Sequence, residues 1–134
     1  MRRLACLVLL AVCGEDAAGP APIALGEDAC DHCRMIISEA PFAAQARFDG
    51  KVEKYDDIGC MLERLRRGAS PRELWVTDRN SGLWINARAA FYVQSEDLKT
   101  PMASGMAAVG GRADADALAG RVKGKVLSFQ DLRR

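Results

Sequence analysis

The stretch "FAAQARFDGKVEKYDDIGCMLERLRRG", residues 42–68, decides the fold, because the hydrophobic period switches within it from about 2 to about 3.6. Phe42, Ala44, Ala46 and Phe48 alternate onto one face. Asp49 and Gly50 form a favoured two-residue turn, and "KVEKY" (51–55) returns as the second strand of a hairpin. From Asp56 onward Ile58, Met61, Leu62 and Leu65 recur at helical spacing. An aspartate stands at the start, arginines crowd the last turn and Gly68 closes it. "ELWVTD" (73–78) then supplies a third strand before the turn "RNSG".

The rest of the chain repeats this order of elements. "LWIN" and "AAFYVQS" read as another strand pair, "EDLKTPMASGM" as a loop, "AAVGG" as a short strand and turn, "DADALAGRV" as a helix and "KVLSF" as a last strand. The predicted fold is therefore α+β: two small ββαβ units packed together, approximately 28–80 and 81–134, alike in element order and not in residues. Trp75, Trp84, Phe91 and Tyr92 lie within strand patterns and read as packing groups.

Upstream, "MRRLACLVLLAVC" (1–13) has a basic start and a short apolar run, the build of an export signal and too short to span a bilayer. "LAVC" also has the shape of a lipoprotein cleavage box ending at a lipid-bearing Cys13, although Val12 stands where a smaller residue is usual. Simple cleavage or retention is the alternative. "GEDAAGPAPIALG" and Glu27 (14–27) read as a flexible tether. The expected location is the periplasm, with a lipid anchor in the membrane.

Composition narrows the function. A chain of 134 residues with 49% hydrophobic and 28% charged residues has room for one modest core and none for a multi-domain enzyme. A net charge of +1, with basic and acidic residues interspersed, leaves no electrostatic footprint for nucleic acid. Five cysteines are present. With Cys6 lost in the leader and Cys13 lipidated, Cys30, Cys33 and Cys60 remain, an odd number that leaves a thiol free, intermolecular or metal-bound.

The chemistry concentrates in "CDHCRM" (30–35), two thiols, the only histidine and a thioether in six residues. A Cys-x-x-Cys loop can clasp a metal or close as a disulfide, so its neighbours must decide. Met61, Met102 and Met106 add soft donors elsewhere, and thiolate with thioether favours Cu(I), whereas Zn(II) rarely takes Met. Met61 lies on the apolar helix face and reads as core, while Met102 and Met106 are split between core filler and ligand. Cys60 falls roughly 200° round from Ile58, off the apolar stripe, in the first helical turn where the dipole favours a thiolate and Asp56 and Asp57 partly offset it; a buried inert thiol, covered by the second unit, is the alternative. His32 has no partners for hydrolytic catalysis and is a ligand candidate or a base beside Cys33. Asp56 and Asp57 read as helix caps. Two alternatives stay open: a thiol-disulfide oxidoreductase using Cys30 and Cys33, and a structural zinc module on Cys30, Cys33, Cys60 and His32.

"CDHCRMIISEAPFAAQ", "KYDDIGCM" and "TPMASGMAA" together resemble the NosL family, periplasmic copper-binding lipoproteins associated with assembly of nitrous oxide reductase. Cys30, Cys33 and Met35 match its Cys-x-x-Cys-Gly-Met signature, with Arg34 in place of Gly. Asp56, Asp57, Gly59, Cys60 and Met61 match a second stretch, and Met102 a third. The resemblance implies a non-enzymatic metallochaperone that holds Cu(I) and delivers it to the copper-sulfide centre of apo nitrous oxide reductase. It also implies supply from an upstream donor or a membrane ABC-type assembly complex. Cys33 and Met35 rank first as ligands, followed by Cys30, Met102 and His32, with Cys60 a further candidate.

Overall fold

A computed structural model describes residues 17–134. The expected export signal, with Cys6 and Cys13, and the first residues of the expected tether lie outside the described residues. The switch from strand to helix occurs where the sequence places it: β1 (Ala44–Phe48) and β2 (Lys51–Tyr55) form an antiparallel hairpin, and α1 (Ile58–Arg66) follows. β3 (Glu73–Thr77) returns beside β1, opposite β2.

β4 (Trp84–Asn86) departs from the expected pairing. It pairs with β3, so the first sheet has the order β2-β1-β3-β4, and β5 (Phe91–Gln94) is not its partner. The cause is local. Asp78 accepts hydrogen bonds from the amides of Asn80 (2.7 Å) and Ser81 (3.0 Å), and its own amide donates to Leu83 O (2.8 Å). A turn this tight returns the chain along the strand it has just left. The second unit is then β5, β6 (Met106–Val109), α2 (Arg112–Val122) and β7 (Lys125–Ser128), in a sheet of order β6-β5-β7. This matches the β2-β1-β3 core of the first sheet and confirms two ββαβ units. A short α3 (Phe129–Leu132), absent from the sequence reading, completes the described chain, its start fixed by a Ser128–Asp131 capping box.

The units are stitched where Asp78 bridges Ala108 and accepts from the Gly110 amide at 2.7 Å. One core gathers Ala44, Ala46, Leu74 and Val76 with α1 and with Tyr92, Met106 and Ala108 of the second sheet. A second packs Val93, Ala107 and Val109 with Ala115 and Leu118 of α2 and with Phe42. Met106 is thus a buried strand residue, and Phe42 belongs to a 3-10 turn (Ala40–Phe42) before β1.

The tether needs a correction in its second half. Gly19 donates to Glu73 and accepts from Arg47, and Ala21 exchanges two hydrogen bonds with the Gln45 side chain (2.9 and 2.7 Å). Ile23 packs against the core. This segment lies over the sheet face opposite α1, which is why the polar Gln45 is wholly buried and β1 has no solvent side.

Candidate metal centre

The cysteine loop is a small hairpin. Ala29 bridges Ile36, Cys30 N donates to Met35 O at 2.8 Å, and Arg34 N donates to Cys30 O at 3.0 Å. Arg34 takes φ +70°, the left-handed region that favours glycine, so arginine adopts here the turn for which the NosL signature carries Gly. Asp31 docks the loop on β2, donating its amide to Lys54 O (2.8 Å) and accepting Lys54 N (2.7 Å). β2 ends at Tyr55, so the next residue, Asp56, emerges beside the loop.

Four side chains converge there. The sulfurs of Cys30, Cys33 and Cys60 and a carboxylate oxygen of Asp56 all lie within 4.8 Å of one another. Cys33 donates to Asp56 Oδ1 at 3.4 Å. Cys30, Cys60 and Asp56 are buried, and Cys33 alone is partly exposed, so it forms the mouth of the cluster.

The thiols are electrostatically unequal. A hydrogen bond from the Cys60 thiol, opposed by burial and helped by backbone N–H groups, pulls Cys30 down to about 6. Burial first, then hydrogen bonds to Cys30 and Asp56, push Cys33 up to about 11. Cys60 is pushed up as well, chiefly because it donates to Cys30 and then because it is buried. The arrangement therefore favours ionisation at Cys30 over Cys33 and Cys60. Soft anionic sulfur in a partly desolvated site suits a thiophilic cation, whose binding must displace protons from the other thiols it engages.

The remaining sequence candidates are not among these four groups. Met35 is 59% and Met102 44% exposed, on the cysteine loop and on the loop 100–105 respectively. Met102 is tied to the site through its backbone, donating to Asp57 Oδ2 at 2.8 Å, while Asp57 Oδ1 caps α1 by accepting Gly59 N at 2.7 Å. Ser104 packs so closely on Gly59 that a Cβ there would meet it at 2.8 Å. His32 is partly exposed and its ring is not part of the cluster. Cys60, off the apolar stripe on the helical wheel, is nonetheless buried, because the cysteine loop covers that side of α1.

Asp56 is the residue that capping logic passed over. One helix has one N-cap, and Asp57 takes it, which frees Asp56 for the thiols. Nor does the Cys-x-x-Cys segment open a helix, the setting an oxidoreductase needs to activate its attacking thiol; it lies in a hairpin turn.

The fold and the cluster define a small α+β protein with one thiol-rich candidate metal site among its described residues. The sequence matches the NosL family over residues 22–134, and the chain belongs to that family. A curated relative, the copper-binding lipoprotein NosL of Stutzerimonas stutzeri, is 31% identical over 125 residues, covering 83% of this chain and 65% of its own length. The chain thus spans just under two thirds of that relative. The crystal structure of the copper chaperone NosL from Shewanella denitrificans superposes with a TM-score of 0.75 at 21% identity, covering 84% of this chain and 94% of that one. This likeness shows a shared fold.

Proposed function

We propose that this chain is a copper metallochaperone that takes Cu(I) as cargo and makes or breaks no bond in a substrate. The supporting observation is the donor set, three thiols and one carboxylate within 4.8 Å, closed on all sides except at Cys33. Cys30, Cys33 and Cys60 would hold the ion. Met35 and Met102 offer exposed thioethers on the two flanking loops, and a soft ion can leave a site through such ligands one exchange at a time. The relatives' names support copper as the metal. The recipient is apo nitrous oxide reductase, for its copper-sulfide centre, and the supplier is an upstream donor or a membrane ABC-type assembly complex.

Export and lipidation at Cys13 complete the proposal. Cys13 stands six residues before Gly19 in the sequence. Gly19 is bonded to Arg47 and Glu73, at the end of the first sheet remote from Asp56.

A structural zinc site is the second reading, and Asp56 favours it, because zinc accepts carboxylate and Cu(I) prefers sulfur. Cu(I) titration of the reduced protein against a chromophoric Cu(I) chelator, repeated with Zn(II), separates the two. The expected result is stoichiometric Cu(I) binding that resists the chelator and is lost in Cys33→Ser with the fold retained. Tight zinc binding that raises the melting temperature, with weak Cu(I) binding, would establish the zinc reading instead.

A further inference from the structure

The chain has five lysines. Two are ion-paired, Lys51 with Glu53 and Lys54 with Asp28. The other three, Lys99, Lys123 and Lys125, are exposed, have no ion pair among the described residues, and line one open cleft of about 710 Å³. Glu96 is the carboxylate in its lining, so cations exceed anions there by two.

Distant segments build this cleft. Lys99 follows β5, whereas Lys123 and Lys125 flank the turn from α2 to β7, and the β5–β7 register sets Lys125 opposite Gln94. The turn is pressed onto the end of β5: a Cβ at Gly124 would meet Gln94 O at 2.8 Å, and Ser95 Oγ donates to Val122 O. Lys123 sits there at φ +51°, the left-handed helix-end position that glycine occupies at least cost. The turn thus carries a lysine at a position that favours glycine, beside two further lysines that have no ion pair among the described residues.

The opposite wall is the loop carrying Met102. Thr100, Ala103, Ser104 and Gly105 line the cleft. The same loop is bonded to Asp57 through Met102 N and packs on Gly59 through Ser104, one residue from Cys60. Anything seated in the cleft therefore touches the loop that borders the metal cluster.

We propose that this cleft is the docking site for an acidic polypeptide segment of the protein that exchanges metal with this chain. An extended carboxylate-rich segment fits an open groove edged by three ammonium groups without an ion pair, of which Lys99 Nζ donates to Glu96 O at 3.0 Å, and its presence holds the partner against the Met102 loop. The proposal rests on the metallochaperone reading for its purpose and on the lysines for its affinity.

The test measures fluorescence anisotropy of fluorescein-labelled hexaglutamate with the full chain in non-ionic detergent at low salt. Binding is expected, weakening as ionic strength rises. K99E/K123E/K125E together should lower affinity by at least about tenfold, and Lys123→Gly by about threefold without loss of stability, because each exposed ion pair contributes weakly by itself. Arg67→Glu, outside the cleft, should change nothing. Cu(I) affinity of the triple variant should be unaltered, because no lysine is a proposed ligand. If that affinity is absent in every form, the metallochaperone reading fails and the peptide result still stands or falls by itself. Equal peptide binding by wild type and triple variant, no binding at all, or displacement of the peptide by equimolar inorganic phosphate would overturn the docking site.

Discussion

Arg34 holds φ +70° where a side chain costs about 1 kcal/mol, and its amide still closes the cysteine loop onto Cys30 O. Arg34→Gly should therefore stabilise the metal-free protein by ~0.5–1 kcal/mol in urea denaturation, whereas Arg34→Ala, which keeps the Cβ, should not. A gain from alanine equal to that from glycine would locate the effect in the arginine's charge. Asp57 poses the opposite case, since each carboxylate oxygen has its own amide, Gly59 N and Met102 N. Asn has one acceptor oxygen and must abandon one of them. Asp57→Asn should cost ~1–2 kcal/mol and speed hydrogen exchange at whichever amide is released.

At the scale of the element, α1 is bound to the hairpin through Glu53. The buried carboxylate accepts the Tyr55 hydroxyl at 2.6 Å, Arg64 at 3.0 and 3.2 Å, and Lys51 at 2.8 Å. Burial would raise its pKa, but the hydrogen bonds from Arg64, Lys51 and Tyr55 outweigh burial and hold it at about 2. A depressed carboxylate adds stability above its unfolded value of 4.5 and loses it as pH falls toward 2. Melting temperature should thus fall between about pH 4.5 and 2, and Glu53→Gln should flatten that slope while costing ~2–3 kcal/mol at pH 7. An unchanged slope in Glu53→Gln would assign acid sensitivity to other groups. The hairpin and this helix were legible because both obey a single local period. The third residue of the helix, Cys60, was not, because its burial comes from a loop thirty residues earlier.

At the scale of the molecule, the segment from Gly19 to Asp28 acts as a further layer over Gln45, Arg47 and Glu73. A chain beginning at residue 28, the expected domain boundary, should be ~3 kcal/mol less stable than one beginning at residue 17, since several half-buried hydrogen bonds are lost and Gln45 is stripped of its partners. Equal urea midpoints would restore the flexible tether. Composition misled here: Ala, Gly and Pro without a period describe a linker equally well whether it is solvated or laid along a sheet.

The sequence by itself determined the α+β class, the first ββαβ unit, the core face of α1 and the thiol-rich character of the candidate site, since each depends on spacing or composition within short stretches of chain. Only the tertiary structure decided that β4 belongs to the first sheet, that Asp56 and not His32 joins Cys30, Cys33 and Cys60, and that three lysines share one cleft. Those outcomes depend on which elements become neighbours, and that choice is made by burial summed over the whole core, which no local period encodes.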